Sequence, residues 1–287
     1  MSFHRPLVMA VLNVTPDSFS DGGKFDQLDS ALDHARLLIM GGANIIDIGG
    51  ESTRPGAPRV PIEVEQARVI PVIEALAAEL AATGRTDVQI SVDTMNASTA
   101  LAAVAAGATI INDVSGGLAD DQMLAAAASS GVTYVISHWR GFSSQMDQLN
   151  QYADVAKDVA RELEARVQAA IAAGVAREHI VIDPGLGFAK DMQQNWKLVA
   201  RLDELEKLGI PILVGASRKR FIAGALDGEN PADVDNGRRD LGTAVLTALL
   251  LQRKLWGLRV HNVVATSDTI SIVEALRFAQ DATSGQS

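Results

Sequence analysis

The chain has no cysteine in its 287 residues, which removes disulfides, thiolate zinc sites, iron–sulfur clusters and a cysteine nucleophile together. Positive charge is also short. The 35 acidic residues against 25 basic ones leave a formal charge of −10, so diffuse attraction to nucleic acid or to an anionic lipid surface is not expected. Any anion must be held by a local basic cluster. No run approaches the roughly 20 apolar residues a membrane helix needs. Leu7 to Leu12 is too short for a signal-peptide core and leads into a polar loop without a small-residue cleavage pattern, and a cytoplasmic location is expected. Histidine is scarce, and only His138 and His261 are plausible histidine ligands. Without close metal-ligand spacing this disfavours a metalloenzyme.

What is present is 47% hydrophobic content with 21% charge, enough apolar material for a large core. Short Val/Ile-rich runs alternate with longer Ala/Leu/Glu/Arg stretches at helical spacing, which reads as repeated β-α units on a parallel sheet. Eight strands are expected: 7–14, 44–48, 89–93, 109–114, 133–138, 180–183, 210–215 and 257–263. Helices are expected near 27–40, 61–82, 97–106, 120–130, 152–173, 192–208, 239–252 and 267–279, with a short extra one at 219–226. Gly41, Gly107, Gly131, Gly174 and Gly209 each follow a helical run and precede a strand. No linker or short repeat divides the chain. The expectation is an α/β fold, a single (β/α)8 barrel over 1–282 with 283–287 as a disordered tail; a doubly wound open sheet is the competing fold.

Nearly every expected strand ends in a polar or charged residue that a strand buried on both faces should not carry. These are Asn13, Asp93, Asn112, His138, Asp183, Ser217 with Lys219, and Arg259 with His261. Such a series places one site on the carboxyl-end rim of the barrel. Strand alternation puts Asn112, on the face of Ile110, in the mouth, and sends Asp113 outside to bond backbone. Arg259 and His261 share a face of the last expected strand. The loop 13–23 is rich in turn residues, yet Phe19 has no core to enter and suits a closing lid. The loop 49–56 offers close backbone approach at Gly49 and Gly50, a guanidinium fork at Arg54 and rigidity at Pro55; a capping Glu51 and a solvated Arg54 are the ordinary alternative. Arg218, Lys219 and Arg220 cannot all face one pocket. Asp93, Asn112 and Asp183 match the donors of a flat nitrogen heterocycle, while Arg54, Arg259, His261 and Ser217 suit an anionic leaving group. A heterocycle bearing a phosphate or diphosphate is the expected substrate.

In order along the chain, NVTPDSFSDGG from Asn13, DIGGESTRPG from Asp47, SVDT from Ser91, INDVSGG from Ile111, DPGLGFAK from Asp183, GASRKRF from Gly215 and RVH from Arg259 resemble the dihydropteroate synthases, the pterin-binding TIM-barrel enzymes of folate synthesis. The resemblance implies condensation of 6-hydroxymethyl-7,8-dihydropterin diphosphate with 4-aminobenzoate, assisted by Mg²⁺, in a homodimer acting on small molecules. It implies a pterin site at Asp93, Asn112, Asp183 and Lys219, and a diphosphate site at Asn13, Arg54, Ser217, Arg259 and His261, with Asn13 acting through the metal. Thr53, Pro55, Phe188, Lys219 and Arg220 match positions around aminobenzoate. Asp93, Asp183, Lys219, Arg259 and His261 form the catalytic set, and mobile loops carry Phe19, Asp21, Thr53, Arg54 and Pro55. The Thr53–Gly56 loop further implies sulfonamide sensitivity. Three residues depart from the pattern: Ser137 where Met is common, Gln194 where His is common and Asn262 where Asp is usual. A catalytically silent pterin-binding homologue is the alternative of another class, and a methyltetrahydrofolate-dependent methyl transferase is a second enzyme alternative. The apolar stretch 241–251 is open to two readings, pairing of subunits or packing on the barrel.

Overall fold

The computed structural model describes residues 5–15, 24–51, 59–142 and 148–284. Among them, strand and helix alternate as β1 (Leu7–Asn13), α1 (Lys24–Met40), β2 (Ile45–Gly49), α2 (Ile62–Ala82), β3 (Gln89–Asp93), α3 (Ala97–Ala105), β4 (Ile110–Asp113), α4 (Met123–Ser130), β5 (Thr133–Ser137) and α5 (Val155–Ala172). There follow β6 (Ile180–Asp183), α6 (Met192–Ala200), α7 (Asp203–Glu206), β7 (Leu213–Val214), α8 (Arg220–Leu226), α9 (Asn236–Leu250), β8 (Gly257–Val260) and α10 (Val263–Ser284). The strands are parallel and lie in the order β6-β5-β4-β3-β2-β1-β8-β7. The last seam joins through a parallel bridge between Ile182 and Ile212, beside an Ile182 N–H that donates to the Pro211 carbonyl at 2.9 Å. A closed (β/α)8 barrel results, and the open-sheet alternative falls.

Strand alternation sorts the side chains into two apolar bodies. Met9, Ile45, Ile110, Val135, Val181 and Leu213 point inward and fill the lower barrel with Leu7 and Trp256. Their neighbours Ala10, Ile46, Ile111, Ile136, Ile182 and Val214 point outward into the much larger layer under the helices. A strand apolar on both faces is what a parallel sheet covered by helices requires. Burying one such Ile or Leu side chain contributes about 1.5–3 kcal/mol, so the lower barrel is a packed floor.

Several boundaries differ from the sequence expectation for identifiable reasons. β7 shrinks from six residues to Leu213–Val214, since Pro211 has no N–H for a ladder. The helix expected at 192–208 breaks at Arg201 (φ −121°, ψ 38°), whose guanidinium is held by Asp154 at 2.7 Å and Glu204 at 2.8 Å. The left-handed turn after α1 falls on Gly42 (φ 102°), not Gly41. The last strand stops at Val260, and α10 starts at Val263, four residues early. Asn262 accounts for the early start by capping α10: its Oδ1 accepts from the Ala265 N–H at 3.0 Å. His261 therefore lies past the strand, not on it. α10 also continues through Ser284, two residues beyond the expected domain end; 285–287 lie outside the described residues. No described helix is long and apolar enough to cross a membrane.

Candidate active site

Above the apolar floor the inward positions become polar within two residues on almost every strand. On β2, Ile45 is followed on the same face by Asp47, which is completely buried. Asp47 joins three elements. Its Oδ2 accepts from Arg259 Nε at 2.7 Å and from Asn112 Nδ2 at 3.0 Å, and its Oδ1 accepts from Ser91 Oγ at 2.6 Å. Arg259 spans onward to β3, where Nη2 donates to Asp93 Oδ2 at 2.7 Å. One guanidinium thus lies between two buried carboxylates. Burial disfavours its charge, but Asp47 and Asp93 together hold it protonated.

Asp93 has the complementary environment. Burial, partly offset by Arg259 and reinforced by the Asp47 and Glu65 carboxylates, pushes its carboxyl up to about 7. The loop after it is organised by Glu65 of α2, which accepts from Thr94 Oγ1, Asn96 Nδ2 and Thr99 Oγ1, each at 2.7 Å. Across the mouth, Asp183 ends β6 with Oδ1 on the Gly185 N–H at 2.6 Å. Burial raises this carboxyl too, against the pull of Lys219. Lys219, half-buried at the start of α8, donates to the Leu186 carbonyl and lies 4.8 Å from the centre of the Phe188 ring. Burial, opposed by Asp183, brings its ammonium down to about 8.

The unused acceptors are the informative part. Asp93 Oδ1, Asp183 Oδ2 and Asn112 Oδ1 accept no hydrogen bond among the described residues, whereas the partner atom of each is engaged. None of the three is sealed from solvent without a partner. Gly49 and Gly215 hold the inward positions beside Asp93 and Asp183, where a Cβ would stand 3.7 Å from Asp93 Oδ2 and 3.4 Å from Asp183 Oδ2; without side chains there, nothing from these positions fills the space against the carboxylates. The site can receive a flat molecule presenting several N–H donors.

A second group of polar residues lies at the β7 and β8 ends. Ser217 Oγ accepts from the His261 backbone N–H at 3.1 Å and sits 3.1 Å from His261 Nδ1. Ser217 and His261 of the expected anion-binding group thus touch, with His261 on a bend beyond the strand, while Arg259 bonds Asp47 and Asp93. Asn13 ends β1 facing inward, and its side chain makes no hydrogen bond with a described residue. Of the three consecutive basic residues, Lys219 alone turns to the mouth. Arg218, in a left-handed conformation (φ 60°), forms a bidentate pair with Asp240 of α9 at 2.7 and 2.8 Å, and Arg220 is exposed on the first turn of α8. Phe19, Asp21, Thr53, Arg54 and Pro55 lie outside the described residues.

Asn112 and Asp113 divide as their alternation requires. Asp113 faces outward and accepts from Ser115 N, Gly117 N and Tyr134 Oη. His138, one residue past inward-facing Ser137, also turns outward, and among the described residues no three His, Cys, Asp or Glu side chains gather as a metal site. Gln194 completes a capping box with Asp191 on α6 and donates to the Asn150 carbonyl at 2.7 Å. Its departure from the common His, like that of Asn262, is a matter of helix ends. The residue that strand-end reasoning missed is Asp47. A charged side chain amid Ile45, Ile46 and Ile48, in register with Val11 and Ser91, was the available signal.

Comparison with known proteins converges on one group. A profile described as "Pterin binding enzyme" matches residues 9–261. The chain is 45% identical over 276 residues to a dihydropteroate synthase of Mycobacterium leprae, covering 96% of this chain and 95% of the relative. It superposes with a TM-score of 0.85 at 42% identity on a Xanthomonas albilineans dihydropteroate synthase solved with 4-aminobenzoic acid, covering 96% and 95% of the two chains. A Yersinia pestis dihydropteroate synthase solved as a sulfonamide drug complex gives 0.84 at 40% identity, with 96% of each chain covered.

Proposed function

The chain belongs to the dihydropteroate synthases of the pterin-binding enzyme family, and we propose that it joins 6-hydroxymethyl-7,8-dihydropterin diphosphate to 4-aminobenzoate by dissociation and capture at this mouth. The observation that carries the assignment of residues is the set of unused acceptors on Asp93, Asn112 and Asp183 around a fixed Arg259. Ring N–H and amino donors of the pterin fill those acceptors. The methylene then points toward Arg259, Ser217 and His261. When its C–O bond breaks, the electron pair leaves with diphosphate, and the cation is shared with the electron-rich ring. The arylamine nitrogen attacks the methylene and loses a proton to water or to the departing diphosphate. No protein nucleophile is needed, and positioning with charge stabilisation dominates.

The leaving group meets hydrogen-bond donors of Arg259, Ser217 and His261, and we assign Arg54 to the same group. Mg²⁺ suits this arrangement because it binds through few protein ligands and substrate phosphate oxygens, with waters filling the rest. The Asn13 side-chain oxygen, which accepts no hydrogen bond from a described residue, is the protein atom that would hold it. When bound, the ion neutralises charge developing on diphosphate. Phe188 and Lys219 provide an aromatic wall and a cation for the aminobenzoate ring and carboxylate. Arg220 extends that charge toward solvent, and Thr53 and Pro55 border the same subsite. The loops of Phe19 and Asp21 and of Thr53 to Pro55 exclude water that would otherwise trap the cation. Sulfonamides compete for the aminobenzoate position.

Two copies pair through α9 and α10. Leu246, Leu250 and Leu251 of the 241–251 stretch pack inward, but Leu241, Val245 and Leu249 stand exposed at four-residue spacing, with Ile272, Leu276 and Phe278 exposed on α10. The stripe Leu241, Val245 and Leu249, with Ile272 and Leu276 one turn apart on α10, is exposed apolar surface of the kind that suits a second copy. With no cysteine to oxidise, the cytoplasm suits this chain. Incubating the purified protein with dihydropterin diphosphate, Mg²⁺ and labelled 4-aminobenzoate tests the assignment. Dihydropteroate and diphosphate in equal amounts are expected; pterin binding without product would mark a silent homologue instead.

A further inference from the structure

Behind the loop that joins β6 to α6 lies a second buried polar cluster, which the reaction above does not use. Its centre is Lys190, 8% exposed. The ammonium has three donors and three acceptors: His138 Nδ1 at 2.9 Å, the Gly185 carbonyl at 3.0 Å and the Phe188 carbonyl at 3.1 Å. On its other side, His138 Nε2 lies 3.0 Å from Glu162 Oε2. Glu162, a carboxylate paired with Arg140, can only accept, so the ring proton of neutral His138 lies on Nε2 and Nδ1 accepts from Lys190, whose basicity burial and the nearby Lys219 charge reduce. Burial and the Lys190 charge hold the imidazole down to about 4, consistent with this tautomer. Glu162 is fixed in turn by Arg140 through Nε at 3.0 Å and Nη2 at 2.5 Å, and Arg140 stacks 3.8 Å over the Tyr152 ring.

The two carbonyls that Lys190 holds flank Leu186 and Gly187, the segment that Lys219 grips from the mouth through the Leu186 carbonyl. Gly187 N–H is held by Asn195 Oδ1 at 2.6 Å and Ala189 O by Tyr152 Oη at 3.0 Å. The close approach is obligatory at Gly185 (φ 62°), where a Cβ would stand 2.1 Å from the His138 carbonyl oxygen. Lys190 from behind and Lys219 in front therefore clamp one short segment. Only the front lysine can touch substrate.

We infer that Lys190, oriented by His138 and Glu162, is a positioning residue for the aminobenzoate half of the site: it fixes the Gly185–Phe188 backbone and so sets the Phe188 ring and the Lys219 ammonium that contact this substrate. The inference rests on the proposed reaction and on placing aminobenzoate against Phe188.

Steady-state kinetics on the intact protein test it. Lys190→Met keeps the buried stem and removes all three donors, leaving the Phe188 carbonyl unpaired and the Gly185 carbonyl held only by the Phe188 N–H at 3.1 Å. The KM for 4-aminobenzoate should rise roughly tenfold, and that for dihydropterin diphosphate by no more than about twofold, as expected for lost hydrogen bonds that act on one subsite. His138→Gln retains an acceptor toward Lys190 and a donor toward Glu162, and should stay within about threefold of the parent KM for aminobenzoate, whereas His138→Leu should approach Lys190→Met. The His138 pair decides the matter if Lys190→Met fails to fold. Equal changes in both KM values, a lowered melting temperature with unchanged KM values, or indistinguishable Gln and Leu variants would overturn the inference. Absence of dihydropteroate from the unsubstituted protein would instead overturn the proposed reaction.

Discussion

Two buried polar clusters flank the β6–α6 loop, and they differ in how fully their hydrogen-bonding capacity is used. Behind the loop, every donor of the Lys190 ammonium has an acceptor, and both nitrogens of His138 are engaged. In the mouth, Asp93, Asn112 and Asp183 each keep one oxygen without a partner among the described residues. Burial is similar, since both clusters hold charged groups below 10% exposure. A completed network stabilises one backbone geometry; an incomplete one is stable only where water or substrate finishes it. The rear cluster is thus scaffold, and the front one is a site.

Breaking the front cluster should have the largest effect. Arg259→Ala removes the charge that Asp47 and Asp93 share, so turnover should fall about a thousandfold and unfolding free energy by about 3 kcal/mol near neutral pH. Urea unfolding and single-turnover assays separate the two losses. Arg259→Met combined with Asp47→Asn should recover most of the stability and none of the turnover, because the pair is dispensable for folding and required for the leaving group.

Much of this contrast was legible in the chain and part of it was not. Polar residues at strand ends exposed Asn13, Asp93, Asn112, Asp183 and Arg259, because a strand buried on both faces has no other reason to carry them. Asp47 escaped that reasoning by lying one turn of the pleat below the rim, where its role depends on partners from β3, β4 and β8 that no local pattern specifies. The rear cluster escaped for a related reason. His138, Glu162 and Lys190 are separated by 24 and 28 residues, and only barrel closure brings them together. His261 lies beside Ser217 but past the strand on which the sequence pattern places it, since the Asn262 cap that ends the strand early is also a common turn residue.

A pH profile sharpens the comparison next. Asp93 must be ionised to accept from the pterin, and its carboxyl is raised to about 7 by burial; pterin kcat/KM should therefore rise as pH passes through 7. Lys219 must stay protonated, and burial lowers it to about 8, so the same quantity should fall above 8. A bell with a narrow top between these values is expected for the free enzyme. Asp47→Asn should displace the acid limb toward lower pH, because the Asp47 carboxylate is one of the charges that raise Asp93. It should also raise the pterin KM roughly tenfold through weaker orientation of Arg259 and Asn112. An unmoved acid limb in this variant would show that Asp93 does not control it.

The smallest effect belongs to the edge of the rear cluster. Tyr152 donates to the Ala189 carbonyl at 3.0 Å, and Ala189 is held at φ 48°, a conformation an L-residue adopts at some cost. Tyr152→Phe keeps the ring on which Arg140 stacks and deletes one hydrogen bond, so it should lower stability by about 1 kcal/mol with an aminobenzoate KM within about twofold of the parent, as fits a single peripheral contact. Ala189→Gly should act in the opposite direction on the same residue, relieving the strain and offsetting much of that loss when combined with Tyr152→Phe. If chemical unfolding shows that Tyr152→Phe costs as much in the Ala189→Gly background as in the parent, the hydroxyl does not hold Ala189 in place. The rear cluster's reach would then end at Lys190, with Arg140 and Tyr152 serving only to pack Glu162.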